Sequence, residues 1–226
     1  MTPAGELETA APVLEIICCS LPDALAARDG GADRLEICSR LDLQGLTPPS
    51  DLVEQILHAV AVPVRVMIRV NERFTATDDE LSVMEHQVTA LAPLPLDGLV
   101  FGLHDDAGRP DFQAMDRVLH HAPPLWGWTL HRAFDYAVGG AAEKLASVAR
   151  HARADRILSA DSWRLTPPPG LQFIAGGGLN AANLRDYLDS PCNEFHFGRA
   201  ARRIPDPQAP VDAKRVRELH RRISHR

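Results

Sequence analysis

The sequence predicts an α/β protein built as a (β/α)8 barrel, and three observations predict it. Short apolar runs alternate eight times with amphipathic segments along 226 residues, the pattern of parallel strands joined by outer helices. Five runs carry charged or imidazole side chains on one face: Val13-Leu-Glu15-Ile-Ile-Cys-Cys19, Arg34-Leu-Glu36-Ile-Cys38, Val64-Arg-Val-Met-Ile-Arg69-Val70, Thr129-Leu-His131-Arg132 and Glu194-Phe-His196-Phe197. Successive strand residues alternate faces, so these polar groups share one side. A doubly wound open sheet would bury that side under helices; a closed barrel turns it toward its own axis. The length also fits, since such barrels run from ~200 to ~250 residues.

Taken in order, strands are expected near residues 13–19, 34–38, 64–70, 98–104, 126–132, 155–160, 171–176 and 193–198. The first helix opens on the capping box Ser20-Leu-Pro-Asp23 and stops at Gly30-Gly31. The second follows Pro48-Pro49, with Leu52, Val53, Ile56, Leu57 and Val60 at helical spacing. Thr77 and Glu80 form a second capping box ahead of Leu81, Met84, Val88 and Leu91. Phe112, Met115, Val118 and Leu119 mark the fourth helix, and Leu145, Val148 and Ala152 the fifth. Another begins at Asn180 and carries Leu184, Tyr187 and Leu188. Val216, Leu219 and Ile223 mark the last. One unit is defective. Between the sixth and seventh strands lies only Ser162-Trp-Arg-Leu-Thr-Pro-Pro-Pro-Gly170, and three prolines forbid a normal helix. The helix after the sixth strand is therefore missing or replaced by a Pro-rich loop. Trp163 and Leu165 on that loop, or a second subunit, are left to cover the strand. No linker divides the chain, so residues 1–226 are read as one domain with a flexible tail over 1–12.

Composition narrows the class. With 45% hydrophobic and 24% charged residues the chain is an ordinary globular one. A net charge of −6 disfavours nucleic acid as a partner. Arginines crowd the C-terminal end, from Arg199 to Arg226, either as the solvated face of a last helix or as a surface for an acidic partner. No run reaches the ~20 apolar residues of a membrane span. Cys18, Cys19, Cys38 and Cys192 form no C-x-x-C pair or disulfide framework, which fits a reducing compartment. The N-terminus lacks a basic start and apolar run, so a cytoplasmic location is expected.

Barrel sites lie at the strand C-terminal ends. Arg69, His104, Asp105, His131, Arg132, Asp135, Asp161, His196 and Arg199 fall near such ends, with Glu15 deeper and Glu36 intermediate. Glu15 and Glu36 read either as members of a buried ion-pair network with Arg65 and Arg69, or as a general acid or base tuned by burial. Arg69 is a planar anion clamp in the second reading. His131 and His196 are the best titratable candidates. They lack the spacing of a zinc site. Ala175-Gly-Gly-Gly-Leu-Asn180 follows the seventh strand and Gly198-Arg199-Ala200 the eighth. In many barrels those two loops bind phosphate through backbone N–H groups. Gly177, Gly178, Gly198, Arg199 and Arg132 therefore join Arg69 and Asp135 as binding candidates, and Glu15, Glu36, His131 and His196 are the catalytic ones. The expected ligand is a small anionic metabolite, phosphorylated ones included; no reaction is assignable.

Several segments resemble the CutC family of copper homeostasis proteins: Leu14-Glu15-Ile16 before Ser20, Gly31-Ala-Asp-Arg-Leu-Glu-Ile-Cys38, Gly45-Leu-Thr-Pro48, Val66-Met-Ile-Arg69, Asp97-Gly-Leu-Val-Phe-Gly102, Thr129-Leu-His-Arg-Ala-Phe-Asp135, Ala175-Gly-Gly-Gly178 and Glu194-Phe-His196. The resemblance spans about residues 13 to 200. It implies a cytoplasmic barrel that self-associates, here as a dimer, and a link to copper(I). Glu15, Glu36, Arg69, His131, Arg132, Asp135 and His196 match the family's polar lumen. Cys38 matches one proposed copper-binding cysteine; the other position holds Ile17. Cys18 points to the opposite face and Cys19 inward at a different height, so a thiolate pair is not assembled from alternation alone. A non-catalytic copper(I) protein using Cys38 and a nearby thiol is the alternative reading. The chain also departs from the family in a shorter, glycine-free Arg69-Val-Asn-Glu-Arg-Phe74 loop and in Phe197-Gly-Arg-Ala200 after the last-strand histidine.

Overall fold

In the computed structural model, which describes residues 11–225, eight parallel strands close into a barrel. They are β1 (Val13–Cys18), β2 (Arg34–Ile37), β3 (Val64–Met67), β4 (Gly98–Phe101), β5 (Gly127–Leu130), β6 (Ala154–Ser159), β7 (Gln172–Ala175) and β8 (Glu194–Phe197). Each pairs with its sequence neighbours, and β8 closes on β1. The helices are α1 (Leu21–Gly30), α2 (Ser50–Ala59), α3 (Asp78–Leu91), α4 (Phe112–Leu119), α5 (Ala133–Tyr136), α6 (Ala141–Ala149), α7 (Leu184–Leu188) and α8 (Ala213–Ser224). The (β/α)8 expectation holds. Of the tail expected over 1–12, residues 1–10 lie outside the described residues.

Alternation sorts the two faces as the sequence implies. Leu14, Ile16, Leu35, Ile37, Val66, Leu99 and Phe101 join the outer core beneath the helices. Inside, Ile17, Cys38, Met67 and Val100 form a separate small apolar cluster. Most of the remaining lumen is polar. At the N-terminal end of the barrel, Arg65 bonds Asp97 (2.6 Å), Thr129 (2.7 Å) and Asp155 (2.5 Å), while Arg156 bonds Glu194 (2.8 Å). Glycines make room for this layer. A Cβ on Gly127 would lie 2.5 Å from an Arg65 nitrogen, and one on Gly98 would lie 2.3 Å from the Gly127 carbonyl oxygen. Backbone cannot swing away as a flexible side chain can. Gly98→Ala should therefore lower stability by about 1–3 kcal/mol, read as a shifted urea midpoint; an unchanged midpoint would contradict this packing account.

The defective unit is as expected. A single 3-10 turn, Ser162–Arg164, replaces the helix between β6 and β7. Trp163 supplies the cover: it is 1% exposed, donates from Nε1 to the Ala160 carbonyl (2.6 Å) and stacks on Tyr187 of α7 at 4.1 Å. Leu165, also expected to cover, is 39% exposed and does not.

Capping and helix starts refine the sequence reading. Thr77 and Glu80 cap α3 reciprocally. At α1, Ser20 accepts from the Asp23 N–H, but the Asp23 carboxylate turns away to the Cys19 and Val211 N–H groups and to Arg202. The helix expected from Asn180 begins only at Leu184. The Asn180 and Asn183 side chains hold the preceding turn through the Gly178 carbonyl. Local side-chain bonds of this kind compete with helix.

Candidate functional site

Three buried side chains from three adjoining strands converge in the lumen. Glu15 on β1, Glu36 on β2 and His196 on β8 bring ligand-type atoms within 4.8 Å of one another. Register explains the meeting, since Glu15 lies opposite His196 and Ile17 opposite Glu36. Glu15 is fully engaged. His196 Nδ1 donates to one oxygen at 2.7 Å and Arg34 Nε to the other at 2.5 Å. Burial alone would raise the Glu15 pKa; the Arg34 guanidinium and His196 overcome it and hold the carboxyl well below its ordinary range. Arg34 also bonds Glu194, tying the site to the ionic layer below.

Glu36 is the opposite case. Its Oε2 is buried, has no hydrogen-bond partner among the described residues and lies 4.0 Å from His196 Nδ1. Burial pushes its pKa up to about 7, against the pull of His196. Burial would lower His196, but Glu36 and Glu15 outweigh it and raise its pKa. One carboxyl is thus held ionised while the other stands poised near neutrality beside an imidazole, which is the arrangement of a proton-exchanging group. Glu15, Glu36 and His196 could also hold a divalent cation. Glu15 would first have to release the His196 N–H and Arg34 bonds that occupy both its oxygens.

A second group lies at the strand C-terminal ends. Arg69, just past β3, is 7% exposed yet pairs with no carboxylate among the described residues. It donates to the Glu72 and Gln44 carbonyls (2.5 and 3.4 Å), lies 5.0 Å over the Phe74 ring, and leaves Nε without an acceptor. His131, edge-on to the same Phe74, accepts at Nδ1 from the Ala133 N–H. Burial and then the Arg69 charge lower its pKa to about 3, so it is neutral at physiological pH. His131 is thus a neutral hydrogen-bond donor or acceptor, whereas Glu36 and His196 are the pair whose pKa values are raised.

A third group surrounds Asp135. It pairs with Arg132 (3.1 Å) and accepts from Ser159 (2.5 Å) and the Ala160 N–H (2.9 Å). Arg132 lies against Gly177, where a Cβ would come 3.2 Å from the guanidinium and 2.7 Å from Ala160 Cβ. Gly177 and Gly178 both have positive φ, 80° and 109°, backbone that suits glycine. The helix N-terminus expected behind this loop is absent, because α7 starts at Leu184 and has five residues. Gly198 packs by Ile17, and Arg199 opens a 3-10 turn as an exposed side chain.

The cysteines face as alternation implies, and two of them come together. Cys18 faces the outer core as alternation requires. Cys19, expected inward but at a different height from the Ile17 position, turns toward Cys38 with the sulfurs 3.7 Å apart. The hydrogen bond with Cys38 lowers the Cys19 pKa despite burial, and Arg202, 3.7 Å away, adds to it. Sequence reasoning missed Arg34, Glu194, Asp23 and Arg202 as members of these groups. Arg34-x-Glu36 and Glu194-x-His196 carried the signal for the first two: a second charge on the inward face one pleat below each candidate.

Comparison with known proteins places the chain in context. The model of the CutC family matches residues 13–162. CutC family proteins of Salmonella typhimurium and Salmonella typhi are each 32% identical over 207 residues, covering 86% of this chain and 82% and 79% of theirs. Among solved structures, a protein of Streptococcus agalactiae described as a copper homeostasis protein CutC matches with a TM-score of 0.71 at 22% identity, over 82% of this chain and 97% of that one. A phosphoribosylanthranilate isomerase of Thermotoga maritima matches with a TM-score of 0.61 at 14% identity, over 94% and 98%. These likenesses at low identity concern the fold alone. Among the described residues no helix is long and apolar enough to cross a membrane.

Proposed function

The chain belongs to the CutC family, and from that premise we propose that it binds a small anionic metabolite at the C-terminal mouth of the barrel and exchanges a proton with it through Glu36 and His196. The observation that carries this reading is the buried Glu36 oxygen without a partner, 4.0 Å from an imidazole that Glu15 orients. Arg69 supports the anion half, as a buried guanidinium with an unused Nε and no carboxylate bonded to it among the described residues. Arg132, Gly177, Gly178, Gly198 and Arg199 would form the rim, and Asp135 would hold Arg132 in place. The test is a thermal-shift screen of phosphorylated and carboxylated metabolites, followed by calorimetry in buffers of different ionisation enthalpy. A hit should bind with proton uptake or release that disappears in Glu36→Gln. Arg69→Met should weaken it by tenfold or more, the loss of a charged hydrogen bond worth ~1.5–3 kcal/mol. A screen with no shift, or a hit indifferent to both variants, would overturn the reading.

A second reading is favoured by one observation, the 3.7 Å approach of the Cys19 and Cys38 sulfurs. Two soft thiolates suit copper(I), and the copper homeostasis name borne by the Streptococcus relative gives that chemistry a context. Copper(I) affinity that survives both Cys38→Ser and Cys19→Ser would eliminate it.

A further inference from the structure

We propose that Cys19 and Cys38 form a dithiol site that reacts with small-molecule disulfides and closes to an intramolecular disulfide across the ends of β1 and β2. This dithiol site is separate from anion binding at the barrel mouth, and either can exist without the other.

Position carries the argument. Cys18 is paired with Ile37, the Cys38 N–H donates to the Cys18 carbonyl at 3.1 Å, and Cys19 and Cys38 are the next pair along the two strands. Both sulfurs turn to the same side and approach to 3.7 Å. A disulfide needs about 2.05 Å, so side-chain rotation at two strand ends must supply an approach of less than about 2 Å. The two thiols differ in access. Cys38 is fully buried against Ile17, Met67 and Val100, whereas Cys19 is half-buried at the edge of that cluster. Arg202, paired with Asp23, sits 3.7 Å from Cys19 Sγ and offers a guanidinium donor to a thiolate there. The competing thiol is removed by geometry, since Cys18 faces the outer core and contacts the Ile16 carbonyl.

The chemistry balances as ordinary exchange. The Cys19 sulfur attacks one sulfur of a small disulfide; a mixed disulfide forms and one small thiolate leaves and takes up a proton. Cys38 then gives up its proton and attacks Cys19 Sγ, expelling the second small thiol. Two cysteine thiols are oxidised by two electrons and one small disulfide is reduced to two thiols. Access dictates the order, because only Cys19 can meet the reagent first. The closed form holds no free thiolate at either position, so oxidation and soft-metal binding there exclude each other.

The test uses the full chain, fully reduced and then equilibrated with oxidised and reduced glutathione at graded ratios. Thiols are then alkylated under denaturing conditions and mapped by mass spectrometry. The expected product has two of its four cysteines protected, with the Cys19 and Cys38 peptides cross-linked and two hydrogens lost. Cys19→Ser should lose the cross-link, and Cys38→Ser should stop at glutathione on Cys19. Cys18→Ser should cross-link like the wild type. A stable glutathione adduct on wild-type Cys19 with Cys38 free, a cross-link through Cys18 or Cys192, or no protected pair at any ratio would each overturn the proposal. Should Cys38→Ser fail to fold, the wild-type and Cys18→Ser maps suffice to decide it.

Discussion

Replacing Arg34 by methionine is expected to destabilise the protein by about 3–5 kcal/mol, the range for removing one partner of a buried ion pair. Arg34 is 4% exposed and bonds two carboxylates at once, Glu15 on the strand before it and Glu194 on β8. Methionine fills much of the same volume, so the loss is electrostatic rather than a cavity effect. It leaves Glu15 buried with His196 as its remaining partner, while Glu194 keeps Arg156. The pH dependence separates this from simple misfolding. In the wild type the folded pKa of Glu15 lies below its ordinary 4.5, so its stabilising contribution is present above about 4.5 and is lost as the pH falls toward the folded value. The variant lacks the guanidinium that depresses that pKa and has less to lose on acidification. The gap between wild type and Arg34→Met, read from urea midpoints, should be widest near neutrality and narrow below pH 4.5. A gap constant from neutral pH to acid would show that Arg34 acts through packing alone.

The same residue marks where sequence reasoning ran out. Alternation says which face a side chain takes, and Glu15, Glu36 and His196 do converge inside the barrel. It does not say how high neighbouring strands stand relative to one another, and in a closed barrel that stagger chooses partners. Glu36 lies in register with Arg65, the natural candidate for an ion pair, yet Arg65 turns to Asp97, Thr129 and Asp155 while Arg34 takes Glu15. Glu36 is thereby left without a guanidinium, and its chemistry follows from that absence. Cys19 and Cys38 show the same limit, since alternation turns both inward but does not say that their sulfurs approach to 3.7 Å. The Pro-rich gap and its tryptophan were legible because proline forbids helix whatever the tertiary context. The late start of α7 was not, because two asparagine side chains capture the Gly178 carbonyl and hold a turn. Arg69 was legible as a mouth residue, but that it bonds the Glu72 carbonyl and lies over Phe74 depends on how the loop from Val70 to Phe74 folds over it.

Glu36→Gln should stabilise the protein above neutral pH while abolishing proton exchange at the site. The folded pKa of Glu36, about 7, exceeds its ordinary 4.5. A raised pKa means the folded state prefers the protonated carboxyl. Its contribution is therefore fully present below about 4.5 and is lost as the pH rises through about 7, a swing of about 3 kcal/mol. His196 runs the same way, because its folded pKa is raised: its contribution is present below about 6.5 and falls as the pH rises through the folded value. Both groups thus tilt stability downward across neutrality, and because they interact, the two steps belong to the pair rather than to either residue. Glutamine keeps the size and neutrality of the protonated acid but cannot ionise. It removes the Glu36 step outright and weakens the His196 step, since the Glu36 charge is the leading influence that raises that imidazole against burial. Urea midpoints measured from pH 5 to 9 should fall for the wild type and stay nearly level for Glu36→Gln, with the curves close at pH 5 and the variant ahead at pH 9. Parallel curves would mean that Glu36 is not the group titrating in the barrel, and the proton-exchange reading would fall with it.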